Sequence, residues 1–156
     1  MHTVIKAALL AFVITLATPV VAQDIEAGWE AAQRGDYAAA LREWRPLAEQ
    51  GHAVAQNNLG VMYFNGQGVA QDYAEALKWY SKAAEQGHAQ AQYNLGVMYA
   101  NGQGVAQDKV QAHMWLNLAD RQGFESAAII RDKVAGMMTF KQFAEAQKLA
   151  REWKPK

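Results

Sequence analysis

Few side chains in this sequence could act as a nucleophile. It contains no cysteine, which excludes thiolate chemistry, disulfides and cysteine-bound metals. Its serines are Ser81 and Ser126. An S-x-x-K acylation motif needs a lysine three residues after the serine, where this chain has Ala84 and Ile129. Acidic residues are spaced as ordinary helix-surface charges, and no glycine-rich phosphate loop is present. We therefore predict no catalytic residue and no cofactor.

Two histidines, His52 and His88, are the candidates for a metal site. They are 36 residues apart, at equivalent places in two similar segments. Neighbouring helices pack about 8–10 Å apart, whereas bonds from zinc to its ligands are near 2 Å long. Equivalent positions of two segments are therefore too distant to share an ion. We predict no metal site and expect both histidines to mark turns between helices.

A stripe of variable side chains is the best candidate for a binding surface. Segments 53–65 and 89–101 are copies that differ only at the pairs Val54/Gln90, Asn57/Tyr93 and Phe64/Ala100. On a helix these positions fall within an arc of about 80°. The predicted partner-binding groove is formed by Val54, Asn57, Val61, Phe64, Gln90, Tyr93 and Val97. Drift of a solvated face after duplication would give the same pattern, although Phe64 and Tyr93 would be unusual on an idle surface.

A repeated pair of helices must position these residues. Residues 37–72 and 73–108 align without gaps and are identical at 26 of 36 positions. A third copy begins at Lys109 and departs from the pattern after Gly123. Terminal repeats are expected to be atypical, because one of their faces has no neighbouring repeat.

Each unit is predicted to contain two helices. Asp72 and Glu75 are spaced as a capping box, in which Asp72 accepts from first-turn amides and Glu75 reaches back. Apolar residues at helical spacing follow, and this helix is expected to stop at Gly87. A second helix is predicted from about Ala89 to Asn101.

Several repeated residues are predicted to serve packing rather than function. Gly60 and Gly96 lie inside predicted helices, where glycine costs about 1 kcal/mol relative to alanine, so we expect a neighbouring helix to approach them closely. Trp79 and Trp115 are at equivalent positions and are predicted to be core residues. The repeated amides are predicted to form ladders that satisfy loop carbonyls; they are Gln56 with Gln92 and Asn58 with Asn94.

The two good copies resemble the Sel1-like repeat, a relative of the tetratricopeptide repeat. One helix carries this resemblance in Ala91, Leu95, Gly96, Tyr99, Gly102, Gly104 and Val105, and the other in Asp72, Tyr73, Ala76, Trp79, Tyr80, Ala83, Ala84, Glu85, Gln86 and Gly87. The resemblance implies an all-α fold, an α/α solenoid (superhelix) whose inner wall is lined by the Leu-Gly-Tyr helices. The units are predicted at about 25–52, 53–88 and 89–124. A degenerate unit is predicted at 125–154, ending in a C-terminal capping helix that begins at a Thr139–Gln142 capping box.

The same resemblance implies a binding function. Sel1-like proteins in general resemble adaptors, which implies a protein or peptide partner for the groove. The alternative is a β-lactam-binding protein or β-lactamase-like hydrolase, because some cysteine-rich Sel1-like proteins have been linked to that chemistry. This chain lacks their cysteines. The formal net charge is zero and no Lys/Arg run is present, so we predict no nucleic-acid partner.

The first 22 residues are predicted to be a signal peptide. Residues 7–18 are nearly all apolar, follow Lys6 and end before Pro19, and Val20-Val21-Ala22 fits a small-residue cleavage site. The apolar run is shorter than the roughly 20 residues that span a bilayer. We predict cleavage after Ala22 and a mature domain of residues 23–156 that is periplasmic or secreted. Retention as an uncleaved anchor helix is the alternative.

The two ends of the predicted mature chain differ in charge. Residues 23–49 carry six acidic and three basic side chains, whereas residues 131–156 carry seven basic and three acidic ones. Such a difference would favour end-to-end association or docking on an anionic envelope surface, both screened by salt. We expect instead a monomer whose closing helix is solvated.

Overall fold

The computed structural model describes residues 20–156, with side chains from Asp24 onward. This part of the chain folds into α-helices without any strand, which confirms the predicted all-α class. The helices are α1 (Val20–Gln33), α2 (Tyr37–Glu49), α3 (Ala53–Asn65), α4 (Tyr73–Glu85), α5 (Ala89–Asn101), α6 (Lys109–Arg121), α7 (Glu125–Ala135) and α8 (Phe140–Glu152). Of the predicted signal peptide, residues 1–19 lie outside the described residues. Within residues 20–156, no helix is long and apolar enough to cross a membrane.

Helices that follow one another in sequence also pack against one another, from α1 through α7. This order produces a row of helix pairs, as expected for a solenoid. The last helix departs from it, because α8 packs mainly against α6 rather than along α7. Trp153 at the end of α8 lies edge-on to Trp115 of α6, with ring centroids 6.1 Å apart. The C-terminal helix therefore covers one side of α6 in the third unit, as expected of a capping helix.

Aspartate side chains begin the even-numbered helices of the repeats. Asp72 accepts from the backbone N–H groups of Ala74 and Glu75, which satisfies two of the free amides of the first turn. The predicted reach-back of Glu75 is wrong, since its carboxylate accepts from Lys78 Nζ at 3.1 Å. The capping box at Thr139 is confirmed in both directions.

Glycines allow the two helices of a unit to approach closely. A Cβ atom on Gly60 would lie 2.5 Å from the ring of Tyr80, and one on Gly96 would lie 2.7 Å from Cγ of Leu116. Both distances are shorter than van der Waals contact, so the predicted packing role of these glycines is confirmed. Gly28 of α1 faces Trp44 in the same manner.

The position of Gly28 shows how α1 aligns with the later helices. Trp44 and Tyr80 are 36 residues apart, but the glycines that face them, Gly28 and Gly60, are only 32 apart. The difference lies in the loops, since residues 34–36 join α1 to α2 whereas the longer segment 66–72 joins α3 to α4. Each residue of α1 therefore corresponds to the residue 32 positions later in α3.

Alanines and aromatic residues alternate in the core. Ala40, Ala76 and Ala112 are fully buried at equivalent positions of α2, α4 and α6. Trp79 and Trp115 are also buried, which confirms their predicted place in the core. The small alanines leave room for the large aromatic side chains beside them, so neighbouring helix pairs pack closely.

Candidate binding groove

Two adjacent cavities open along the surface formed by α1, α3 and α5. The second cavity, of about 280 Å³, brings together five of the seven predicted groove residues. It is lined by Val61, Phe64, Asn65, Tyr80, Gln90, Tyr93, Asn94 and Val97. The structure thus places most of the predicted residues around one space.

The first cavity lies nearer the N-terminus and has a volume of about 310 Å³. It is lined by Trp29, Ala32, Gln33, Tyr37, Trp44, Asn57, Asn58, Val61, Met62, Gln67 and Gln90. Val61 and Gln90 line both cavities, so the two spaces adjoin, and we call them together the groove. Among the predicted residues Asn57 belongs to the first cavity. Val54, in the first turn of α3, is 40% exposed and lies outside both.

Aromatic neighbours hold the two large variable side chains. Phe64 packs on Tyr73 with ring centroids 5.1 Å apart, and Tyr93 packs on Phe124 at 4.8 Å. Both side chains are half-buried rather than fully exposed. Their orientation is therefore fixed by packing, and each presents its remaining surface to the second cavity.

The two cavities are the same site in successive units. With the 32-residue offset of α1, Trp29 corresponds to Val61 and Ala32 to Phe64. With the 36-residue period, Trp44 corresponds to Tyr80, Asn57 to Tyr93 and Asn58 to Asn94. Ala32 and Asn57 of the first cavity are smaller than Phe64 and Tyr93 of the second. Trp29 and Trp44 are larger than Val61 and Tyr80, so the two cavities have similar volumes.

The groove is lined without a charged side chain, as far as residues 24–156 define it. Its polar groups are amides and the hydroxyls of tyrosines. Burial raises the pKa of Tyr80, which lines the second cavity, so this phenol stays protonated at neutral pH. A ligand of the groove would thus be selected by shape, apolar surface and hydrogen bonds, and salt would weaken its binding little.

Amide side chains connect one unit to the next. The predicted bonds from the glutamines to main-chain carbonyls are confirmed. Gln56 Nε2 donates to the carbonyl of Ala48 at 3.1 Å, and Gln92 Nε2 donates to that of Ala84 at 3.2 Å. The acceptors are carbonyls of the last turn of the preceding helix rather than of a loop. Both carbonyls also accept a backbone N–H, from Gly51 and Gly87 respectively, so each glutamine adds a second bond.

The prediction for the asparagines is wrong. Asn94 Nδ2 donates to Oδ1 of Asn57 at 3.3 Å instead of to a loop carbonyl. Asn58, the equivalent of Asn94, is 2% exposed, and its Nδ2 has no acceptor among the residues with described side chains. Asn94 finds its acceptor in Asn57 of the preceding odd-numbered helix. For Asn58 the equivalent position in α1 is Ile25, and a hydrocarbon side chain cannot accept a hydrogen bond.

The histidines occupy the turns, as expected. His52 and His88 are the N-cap residues of α3 and α5, and Nδ1 of His88 accepts from the N–H of Ala91 at 3.3 Å. Burial lowers the pKa of His88. In the portion of the chain with described side chains, no group of three potential metal ligands comes together.

The serines weighed as nucleophiles lie apart from the groove. Ser81 is on α4 and Ser126 is on α7, and neither lines either cavity. No observation favours the β-lactam alternative, which stays a prediction testable by the turnover of nitrocefin.

Comparison with known proteins identifies the repeat. Residues 53–88 and 89–124 both match the Sel1 repeat. A Sel1 repeat protein from Oxalobacter formigenes is similar in structure, with a TM-score of 0.66 and 36% sequence identity over 72% of this chain and 88% of that one. The chain belongs to the Sel1 repeat family.

A longer Sel1-like structure overlaps the chain more fully. This is a protective antigen present in uropathogenic Escherichia coli strains that displays an SLR fold. It aligns with a TM-score of 0.81 and 31% identity over 85% of this chain, which spans only 29% of that protein. No curated protein sequence is significantly similar to the chain. The Sel1 repeat assignment establishes a helical solenoid of a kind that is typically a scaffold for protein interactions.

Sequence reasoning missed the first cavity and its aromatic wall. Trp29, Tyr37 and Trp44 were not among the predicted groove residues. The equivalence of Gly28 and Gly60 is the sequence signal that would have identified them. Aligning those two glycines places Trp29 on the same stripe as Val61 and Val97.

Proposed function

We propose that this Sel1 repeat protein is an exported adaptor that binds an extended segment of a partner protein in the groove. The observation that supports this most directly is the succession of two equivalent, uncharged cavities on adjoining units. A site that repeats with the fold suits a ligand that is itself a chain, because each unit can receive one side chain of it.

The dimensions agree with an extended peptide. The two cavities adjoin at Val61 and Gln90, and an extended chain advances about 3.3 Å per residue. Side chains a few residues apart along such a chain could therefore enter the two cavities. A folded domain would not fit, since cavities of about 310 and 280 Å³ accommodate single side chains.

The exported location rests on the N-terminal sequence. The short basic start, the apolar segment and Val20-Val21-Ala22 support a signal peptide cleaved after Ala22. Fractionation of cells expressing the full chain with a C-terminal tag tests this proposal. N-terminal sequencing of the exported protein should begin at Gln23, and an uncleaved N-terminus or recovery in the cytoplasm would contradict it.

Partner capture tests the groove. Tagged protein would be used to capture partners from a cell-envelope extract of the source organism, and bound proteins would be identified by mass spectrometry. The test variant is Gln90→Glu, which introduces a charge on the exposed wall shared by both cavities. It should preserve the fold, because an acidic residue in the first turn of α5 favours the helix.

The matched control is Gln111→Glu, the same change in the first turn of α6 and outside both cavities. We expect Gln90→Glu to lose the captured partner and Gln111→Glu to retain it, with equal helical content. Equal capture by the two variants would place the binding surface elsewhere.

A further inference from the structure

We propose that the first cavity is an anchor pocket for one aromatic side chain of the bound segment. This inference rests on the proposed peptide-binding function and specifies the ligand chemistry of its N-terminal half. It concerns residues that the repeat pattern alone did not single out.

The walls of the first cavity are aromatic. Trp29 and Trp44 form an edge-to-face pair with centroids 5.3 Å apart, and Trp29 is still 43% exposed. Tyr37 is held in place by Gln67, whose Nε2 donates to its hydroxyl at 2.9 Å. Aromatic rings favour edge-to-face and offset contacts with other rings. An incoming aromatic side chain would complete such a cluster and cover the exposed face of Trp29.

The volume limits what can enter. At about 310 Å³ the first cavity lies at the small end of the range for ligand sites, about 300–1,000 Å³. A single ring fits this space. The second cavity holds Phe64 and Tyr93 of the protein itself, where the first has Ala32 and Asn57. The first cavity therefore has no protein ring at these two positions, and a ligand ring could lie on this side of it.

The lining of the first cavity is uncharged. Asn58 lies at its inner wall, and the Nδ2 atom of that residue is buried away from the cavity space. No cation is present in the lining to balance a carboxylate, and no carboxylate to balance a cation. The aromatic walls therefore favour an uncharged ring.

Blocked tripeptides provide a direct test. Ac-Gly-X-Gly-NH₂ with X as Trp, Phe, Leu or Ser would be titrated into the isotope-labelled protein and followed by NMR. We expect saturable shifts of the Trp29 indole and Asn58 side-chain amide signals. Trp and Phe probes should bind about 3- to 10-fold more tightly than the Leu probe, and the Ser probe should not saturate.

One aromatic variant and its control separate the pocket from a general loss of exposed aromatic surface. Trp29→Val, which installs the residue of the later units, should weaken Trp-probe binding about 3- to 10-fold. Phe140→Val is the matched control, because Phe140 is 89% exposed and lines neither cavity. It should leave the probe affinity unchanged.

Each result decides between the proposals. Absence of saturable shifts, shifts confined to Tyr93 and Val97, or full probe binding by Trp29→Val would overturn the anchor pocket. Partner capture that depends on Gln90 but not on Trp29 would uphold the adaptor function and reject the anchor. Probe binding at Trp29 without any partner captured through the groove would uphold the pocket and reject the adaptor.

Discussion

Gln122 Nε2 donates to Oε1 of Gln92 at 2.7 Å, and this bond joins the C-cap of α6 to the N-terminal part of α5 within one repeat unit. Gln92 is fully buried and in turn donates to the carbonyl of Ala84 in the preceding unit. Gln86 and Gln56 form the same bond one unit earlier, at 2.8 Å. The glutamines thus connect the two helices of a unit and each unit to the one before it.

Replacing Gln92 with methionine should destabilise the protein by about 0.5–1.5 kcal/mol, because it removes the bond to the Ala84 carbonyl and the bond from the Gln122 amide. Methionine has a similar length and shape, so packing is little disturbed. Urea unfolding measures the change, with Gln50→Met at an exposed position as control. Equal stability of the two variants would show that the glutamine ladder contributes nothing.

Gly96→Ala should destabilise the protein by about 1–3 kcal/mol through overpacking, although alanine is favoured over glycine in a helix by about 1 kcal/mol. The added Cβ would lie 2.7 Å from Leu116 Cγ and 3.2 Å from the Ala112 carbonyl. Gly136→Ala is the control, since its new atom would meet only ordinary contacts and its backbone is already helical. Thermal unfolding should show a lower midpoint for Gly96→Ala alone.

Stability should decrease in mild acid because of the buried His113 and the half-buried His88. Burial lowers the pKa of His88 and of His113, and for His113 the charge of Arg131 lowers it further while Asp132 opposes the shift. In the unfolded chain these imidazoles protonate near pH 6.5. Below that pH the unfolded state binds more protons than the folded state. Their contribution to stability is therefore complete above about pH 7 and falls as the pH drops through 6.5 towards the lowered folded-state pKa values.

Unfolding free energies measured between pH 7.5 and 5.5 test this effect. His88→Asn keeps an N-cap acceptor without a titrating group, and His113→Leu removes the buried imidazole. Each variant should flatten the pH dependence, and the double variant should flatten it most. A double variant that retains the full slope of the parent protein would assign the acid sensitivity to other groups.

Thr139→Ala should cost about 0.5–2 kcal/mol by removing the cap of α8. Thr139 Oγ1 accepts from the Gln142 N–H at 3.2 Å, and Gln142 Oε1 accepts from the Thr139 N–H at 2.9 Å. Hydrogen exchange should accelerate in α8, while Thr139→Ser should keep the protection because serine supplies the same oxygen. Similar exchange in both variants would argue against the cap.

Much of the fold could be predicted because the 36-residue period imposes it. Gly60 and Gly96 recur at the level where Tyr80 and Leu116 approach, so the period alone indicated both the helices and their contact. The packing of α8 on α6 could not be predicted, because the Trp115–Trp153 contact occurs once and has no periodic signal.

The groove was predictable only where the period holds. Tyr93 and Val97 follow it, and they line the second cavity with Phe64. The shorter loop at residues 34–36 shifts α1 by four positions, which concealed the equivalence of Trp29 and Val61. Glu75 failed as a capping residue because a nearby cation, Lys78, competed for its carboxylate. Competition of this kind depends on side-chain positions rather than on spacing.

The glutamine ladder also has a consequence for the history of the gene. Gln56–Gln86 and Gln92–Gln122 join residues 30 positions apart, and Asn57–Asn94 joins residues 37 apart. An in-frame duplication of 36 codons would recreate such contacts at the new junction without any point mutation. One recombination event can therefore lengthen the protein by a folded unit and add another copy of the cavity, which can then diverge.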